Sequence, residues 1–377
     1  MTDREAGTLT VKGFLELKNE VIDIDLCTRC GGCASVCPVN VIAMTKNGPS
    51  LVGDCIKCGN CLRVCPGPGT DMAGFERKLF GGKGRRTFLS LNGRCIGREH
   101  LMASDKEVFR KGYFGGRVSA VLIGALERGD IDCALLTDWS DGKGLSMGQG
   151  KLARNREEVL SLAGSKYVFS DVLTLLSDVR DDPTVKRAAV VCLPCQVQAI
   201  RKMEGDPALK GLVSKVRYII SLNCGAPMVD EAEWGRIIED LTGVGAEDIN
   251  AFRAYKTSSK KIMFEVKVGT EWKRFELPIY RYLLRVKSAV KWHRCTMCSD
   301  YAGELSDITF GAPLVRTKRG KELLDRAVAE GRLKRPGLKR RVFQDLMDTY
   351  WAMRKKRTAK ATIRKRRKKG LKIPFVH

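Results

Sequence analysis

The sequence predicts a small α+β unit at the N-terminus, followed by a larger α/β domain that contains an antiparallel meander and ends in a basic helical tail. Three observations carry this. Residues 27–66 hold one cysteine pattern twice. From about residue 115, short β-branched runs alternate with amphipathic helical stretches, the signature of a parallel sheet covered on both faces. Residues 335–377 hold 16 Lys/Arg against 2 Asp/Glu, more than half of the net charge of +25. The expected units are residues 1–70, 85–334 and 335–377.

The 377 residues and 44% hydrophobic content suit two or three folded domains. No apolar run approaches the roughly 18 residues of a membrane span. The stretch Met1-Thr2-Asp3-Arg4-Glu5 lacks a secretory core. A cytoplasmic protein is therefore expected. Fifteen cysteines, an odd number set mostly in C-x-x-C groups, point to metal or redox chemistry rather than disulfides.

Cys27, Cys30, Cys33 and Cys37 precede Pro38, and Cys55, Cys58, Cys61 and Cys65 precede Pro66. This is the run of a bacterial two-cluster ferredoxin, in which the fourth cysteine ligates the other cluster. One 4Fe–4S cluster then takes Cys27, Cys30, Cys33 and Cys65. The second takes Cys55, Cys58, Cys61 and Cys37. Gly31, Gly32 and Gly59 allow close backbone approach. Zinc ribbons use two C-x-x-C pairs, not four evenly spaced cysteines before a proline, twice.

Between the units, residues 67–86 read as a Gly- and Pro-bearing linker. Beyond it, the pattern predicts helices over Val118–Arg128, Arg156–Ala163, Asp171–Val179, Gln196–Met203 and Asp230–Leu241. Strands are predicted over Ile131–Thr137, Ala188–Cys192 and Val216–Leu222. Residues 250–278 alternate in short runs and predict the meander. Cys195 and Cys224 follow strands, where functional groups gather in open parallel sheets. Cys295 and Cys298 form a further C-x-x-C. From spacing alone three readings stand: a third cubane on Cys195, Cys224, Cys295 and Cys298, a thioredoxin-like dithiol at Cys192 and Cys195, or core cysteines. Cys95 and Cys133 read as structural.

A set of ordered motifs resembles the beta subunits of coenzyme F420 hydrogenases and dehydrogenases. The family includes formate dehydrogenase beta subunits and a chlorophyll-type tetrapyrrole reductase. The motifs are Gly115-Gly116-x-x-Ser119-Ala120, Gly164-Ser165-Lys166-Tyr167, Leu193-Pro194-Cys195-Gln196, Asn223-Cys224, and Cys295-x-x-Cys298-x-Asp300 running into Asp307-Ile308-x-x-Gly311. The resemblance covers about residues 85–334. With the ferredoxin unit ahead of it, the chain looks most like the input subunit of an F420H2 dehydrogenase. The resemblance implies FAD, a coenzyme F420 substrate site and a third 4Fe–4S cluster. Two departures stand out. Tyr113-Phe114 precede the glycine pair, and Cys192 stands where the family usually has Gly, which makes it a rival of Cys195 as ligand.

The implied reaction moves a hydride between coenzyme F420 and FAD, then single electrons through three clusters to partner subunits, with oxidation of F420H2 the favoured direction. A same-fold reductase of another substrate, or the beta subunit of a formate dehydrogenase or hydrogenase, is the alternative. Gly115, Gly116 and Ser119 open a helix, a place for a phosphate, although an ordinary turn has the same look. The resemblance places Gly164, Ser165, Tyr167 and Pro194 at the flavin, with Lys166 stabilising charge on the reduced ring. His100, His293 and His377 read as non-ligands. In the tail, Val342, Phe343, Leu346, Met347, Tyr350, Trp351 and Met353 share a helical face ahead of Arg354–Arg357 and Arg364–Lys369. That pattern suits an anionic membrane surface or an acidic partner, ahead of a solvated tail and then of nucleic acid.

Overall fold

The computed structural model describes residues 13–375 except 46, 82–84, 87–90, 113–114, 140–143, 226–227, 257–259 and 312. Tyr113, Phe114 and His377 lie outside the described residues. The cysteine-rich unit is built as a repeat. Short helices Gly32–Ser35 and Asn60–Val64 each start after a left-handed glycine, Gly31 (φ 81°) and Gly59 (φ 75°). A hairpin pairs Ile42–Thr45 with Gly48–Leu51. Helix Phe14–Leu17 and the wider turn Lys18–Ile22 close the unit with buried Phe14, Leu17 and Val21.

The larger domain is organised by a seven-stranded sheet. Its order is Gly97–Arg98, Leu314–Val315, Ile308–Phe310, Val216–Leu222, Ala188–Cys192, Cys133–Asp138, Gln149–Ala153. The four central strands are parallel, and side chains alternate between the faces. Ala134, Leu136, Ala189 and Ile220 pack under helices Arg117–Glu127 and Lys318–Ala329. Cys133, Leu135, Val190 and Ile219 pack under helices Leu175–Asp181 and Pro194–Gly205. Burial on both sides explains the unbroken apolar runs.

Toward both ends the sheet departs from the expected parallel arrangement. Gln149–Ala153 and Leu314–Val315 run antiparallel to their inner neighbours. Phe310 and Leu314 are too close in sequence for a parallel crossover, which needs a dozen or more residues. Gln149–Ala153 is mostly half-exposed and shows no apolar run. The meander is present as Ile249–Lys256, Lys261–Val268 and Glu271–Pro278. Phe252, Phe264 and Val266 bury one of its faces against Trp234, Ile237 and Leu241 of helix Glu231–Thr242.

The expected linker holds a helix, Met72–Phe80, capped by Asp71 and ended at left-handed Gly81. Met72, Phe75 and Leu79 fasten it to the domain core.

The tail is a single helix, Leu338–Lys368, of 31 residues. Asp348, Ala352, Lys355 and Ala359 form its buried face at helical spacing. Val342, Phe343, Leu346, Tyr350 and Met353 stay exposed. The helix crosses the carboxyl end of the sheet and reaches the cysteine-rich unit. There Ile363 packs on its core and Arg366 donates to the Ile24 carbonyl. Among the described residues no helix is long and apolar enough to cross a membrane.

Candidate iron–sulfur and cofactor site

Two pockets in the N-terminal unit repeat the crossed pairing of the cysteines. Cys27, Cys30, Cys33 and Cys65 line one, and Cys37, Cys55, Cys58 and Cys61 line the other. The backbone turns its amides toward sulfur. Arg29 (φ 52°) and Lys57 (φ 58°) hold the same left-handed position in each repeat. Their N–H groups donate to Cys27 Sγ and Cys55 Sγ, each at 3.4 Å. Gly67 N donates to Cys65 Sγ at 3.3 Å. Burial pushes the Cys27 and Cys61 thiols up to about 11. At neutral pH a metal must therefore displace their protons, as thiolate-bound iron does. Amide donors directed at thiolate sulfur fit 4Fe–4S ligation.

The third set assembles from three distant parts of the larger domain. Cys195 opens helix Pro194–Gly205, Cys224 follows strand Val216–Leu222, and Cys295 and Cys298 bracket the end of helix His293–Thr296. Cys195 lies within electrostatic reach of Cys295, Cys224 and Cys298, and also of Cys30 from the first ferredoxin pocket. Burial raises the thiols of Cys195 and Cys295. Cys192 points the other way, into the core, with Sγ 3.8 Å from the Ile220 carbonyl. The structure thus brings Cys195, not Cys192, to Cys224, Cys295 and Cys298. Among the described residues no three His, Cys, Asp or Glu side chains converge as they would around a single ion.

The two units meet along this line. Trp292 Nε1 donates to the Cys27 carbonyl at 2.7 Å, Arg294 reaches the carbonyls of Gly67 and Pro66, and Lys202 Nζ donates to the Cys65 carbonyl at 2.6 Å.

Gly115 (φ 90°) and Gly116 (φ 67°) are both left-handed and lead into helix Arg117–Glu127. A Cβ on Gly116 would collide with the Val108 carbonyl. Ser119 is buried one turn on. Arg117 was not legible as a site residue. It is 4% exposed, and its Nη1 has no hydrogen-bond partner. Its guanidinium stands 6.0 Å from the Phe310 ring, and Asp348 and Arg340 act on its charge. Burial lowers Arg117 to about 10. A cation in the first turn opposes the helix dipole unless an anion sits there. An arginine starting an apolar helix was the available signal. The glycine pair, the helix start and an unpartnered buried guanidinium fit a flavin pyrophosphate.

Gly164 (φ 99°) faces the Lys111 carbonyl, and Ser165 is half-buried beside it. Lys166 Nζ donates to the carbonyls of Leu162 and Ala163. Burial lowers Lys166 to about 8, against the pull of Asp138 at the end of its strand. Tyr167 packs among Trp234 and Phe252, with ring centroids 6.3 and 6.1 Å away. Pro194 is buried at the first position of its helix.

The C-terminal helix closes this region. The Tyr301 hydroxyl donates to Asp348 Oδ1 at 2.9 Å, and Asn223 Nδ2 reaches both Tyr301 and Asp348. Burial pushes the Asp348 carboxyl up to about 7, against the Tyr301 bond and the charges of Arg98 and Arg117. Its Oδ2 has no partner and can carry the proton. The unfolded carboxyl titrates near 4, so between about pH 4 and pH 7 the folded state binds more protons. Stability should rise as pH falls through 7, by about 1 kcal/mol from pH 8 to pH 6. Denaturant unfolding at the two pH values should show a smaller rise in Asp348→Asn than in the wild type; the rise that remains comes from Glu304, whose carboxyl burial also pushes up to about 7.

An iron–sulfur unit joined to an α/β domain, with a further cysteine set between them, defines an oxidoreductase subunit that passes electrons. The chain belongs to the family of coenzyme F420 hydrogenase/dehydrogenase beta subunits: residues 101–177 match its N-terminal domain and 185–339 its C-terminal domain. Residues 19–67 match the 4Fe-4S dicluster domain. The beta subunit of the coenzyme F420 hydrogenase of Methanococcus voltae is 28% identical over 72% of this chain and 95% of its own. One subunit of the F420H2 dehydrogenase of Methanosarcina mazei is 25% identical over 81% of this chain and 83% of its own. The coenzyme F420-dependent sulfite reductase of Methanocaldococcus jannaschii is 26% identical over 81% of this chain, which spans 46% of that protein. A chain of the F420-reducing [NiFe] hydrogenase complex from Methanosarcina barkeri shares the fold. Its TM-score is 0.59 at 23% identity, covering 76% of this chain and 97% of that one.

Proposed function

We infer that this chain is the electron-input subunit of a larger complex, oxidising F420H2 and passing single electrons outward through three 4Fe–4S clusters. The observation that carries this is the position of Cys30. It lines the first ferredoxin pocket and also lies within electrostatic reach of Cys195. The three thiol sets therefore form one series, with Cys37, Cys55, Cys58 and Cys61 at its outer end.

FAD, when bound, accepts a hydride and releases electrons singly, which joins a hydride carrier to one-electron clusters. Arg117, Gly115, Gly116 and Ser119 would hold its pyrophosphate, with Arg340 reaching in from the C-terminal helix beside Gly115. Gly164, Ser165, Tyr167 and Pro194 would shape the remaining wall. Lys166, beside Asp138 at a strand end, would offset negative charge on the ring. The exposed Val342, Phe343, Leu346, Tyr350 and Met353, with the basic run Arg364–Lys369, suit attachment to an anionic membrane face or a partner subunit.

The test is anaerobic oxidation of F420H2 by the full chain loaded with iron, sulfide and FAD, with an artificial one-electron acceptor. Oxidation that requires FAD is the expected result. A protein that binds flavin and iron yet leaves F420H2 unoxidised with every acceptor tried would overturn the reading in favour of another substrate.

A further inference from the structure

The C-terminal helix continues past residue 339, where the family match ends. Its buried face carries Lys355, only 4% exposed, whose Nζ donates to the Cys224 carbonyl at 2.6 Å. The electrostatic neighbours of that ammonium are Cys224, Cys298, Cys295 and Asp300. A buried ammonium needs an anion close by, and the carbonyl it bonds carries no net charge. Asp300 supplies charge only at longer range: its oxygens accept from Gln198 Nε2 and the Glu304 amide, each at 3.1 Å, and among the described residues it makes no ion pair with Lys355. The next lysine, Lys356, pairs with Glu304 instead. Ala352, fully buried one turn back, and the Asp348–Tyr301 bond fix the helix, so Lys355 cannot swing away while the helix is docked.

The same device occurs once more. Lys202 Nζ bonds the Cys65 carbonyl at 2.6 Å and has Cys65 and Cys30 as its electrostatic neighbours. Each of the two inner thiol sets thus has a lysine on the carbonyl of one of its own cysteines.

We propose that Lys355 is the fixed counter-charge of a cluster held by Cys195, Cys224, Cys295 and Cys298, and that it raises the reduction potential of that cluster. The proposal rests on the three-cluster reading above. A thiolate-ligated cubane gains negative charge on reduction, and a buried cation favours the more negative state. The chain therefore supplies, from a segment outside the family domains, a group that sets where electrons rest between flavin and ferredoxin unit.

The experiment is a redox titration of the loaded full chain followed by electron paramagnetic resonance, with iron counted beforehand. In Lys355→Gln one cluster signal should shift to lower potential by about 59 mV or more, a tenfold fall in its reduced-to-oxidised ratio at fixed potential. Lys355→Arg should stay near the wild type, and Lys202→Gln should move a different signal. If Lys355→Gln loses one cubane altogether, its retention in Lys355→Arg supports the charge, and loss in both overturns it. An unmoved midpoint in Lys355→Gln overturns the proposal while leaving three clusters in place. Iron for only two cubanes in the wild type overturns the three-cluster reading and the proposal with it.

Discussion

Replacing Cys195 with Ser is expected to remove one cubane and leave the two ferredoxin clusters in place. Cys195 is the residue of its set within reach of both the neighbouring thiols and Cys30. The ferredoxin pockets take their lining from residues 13–65 alone. Their iron should survive. Acceptors that take electrons directly from flavin should still be reduced by F420H2. Acceptors served through the ferredoxin unit should lose more than about 100-fold, since even an outer-shell change at a metal site costs up to that much. Iron content, the paramagnetic resonance spectrum and the two assays together check this. Undiminished reduction of both acceptor types would place the third cluster off the route, and equal loss with both would place the effect of Cys195 at the flavin instead.

The eight N-terminal cysteines were legible because cluster chemistry fixes their spacing, down to the exchange of Cys37 and Cys65 between pockets. Cys195 and Cys224 were legible as a pair at strand ends, and the resemblance joined them to Cys295 and Cys298. The structure adds the orientation that spacing leaves open, with Cys192 in the core. Arg117 and Lys355 were not legible. A buried cation and a solvated one look alike in sequence, and the groups around these two come from segments far along the chain. The C-terminal helix shows the same limit. Its apolar residues suggested which face matters, yet the docked face is Asp348, Ala352, Lys355 and Ala359. That face lies on strand ends that present polar groups, the Cys224 carbonyl accepting from Lys355 and Asn223 donating to Asp348, so it needs small residues and polar partners rather than leucines. Of the antiparallel strands, Leu314–Val315 was hidden by its shortness and Gln149–Ala153 by its lack of an apolar run.

The joint between the two units rests on a buried ion pair, and breaking it should have the largest effect on stability. Arg29 occupies the variable position before Cys30, and its side chain is fully buried. Its Nη1 bonds Glu231 Oε2 at 2.9 Å, across 202 positions of sequence. The guanidinium faces the rings of Phe169 at 4.5 Å and Trp292 at 5.3 Å from their centroids. Glu231 also accepts from the Phe169 amide, at the start of helix Glu231–Thr242, where the dipole favours an anion. Arg29→Met strands Glu231 in the interior and should cost about 3–5 kcal/mol. The ferredoxin unit should loosen from the domain, and electron delivery should fall while flavin and iron contents hold. The double variant Arg29→Met with Glu231→Gln should regain most of the loss, because removing both charges of a buried pair is often close to neutral, and Gln still accepts from the Phe169 amide. Denaturant midpoints of the loaded protein decide the matter. An Arg29→Met midpoint equal to the wild type would mean that the apolar contacts around Phe169 and Trp292 hold the units together without the charge.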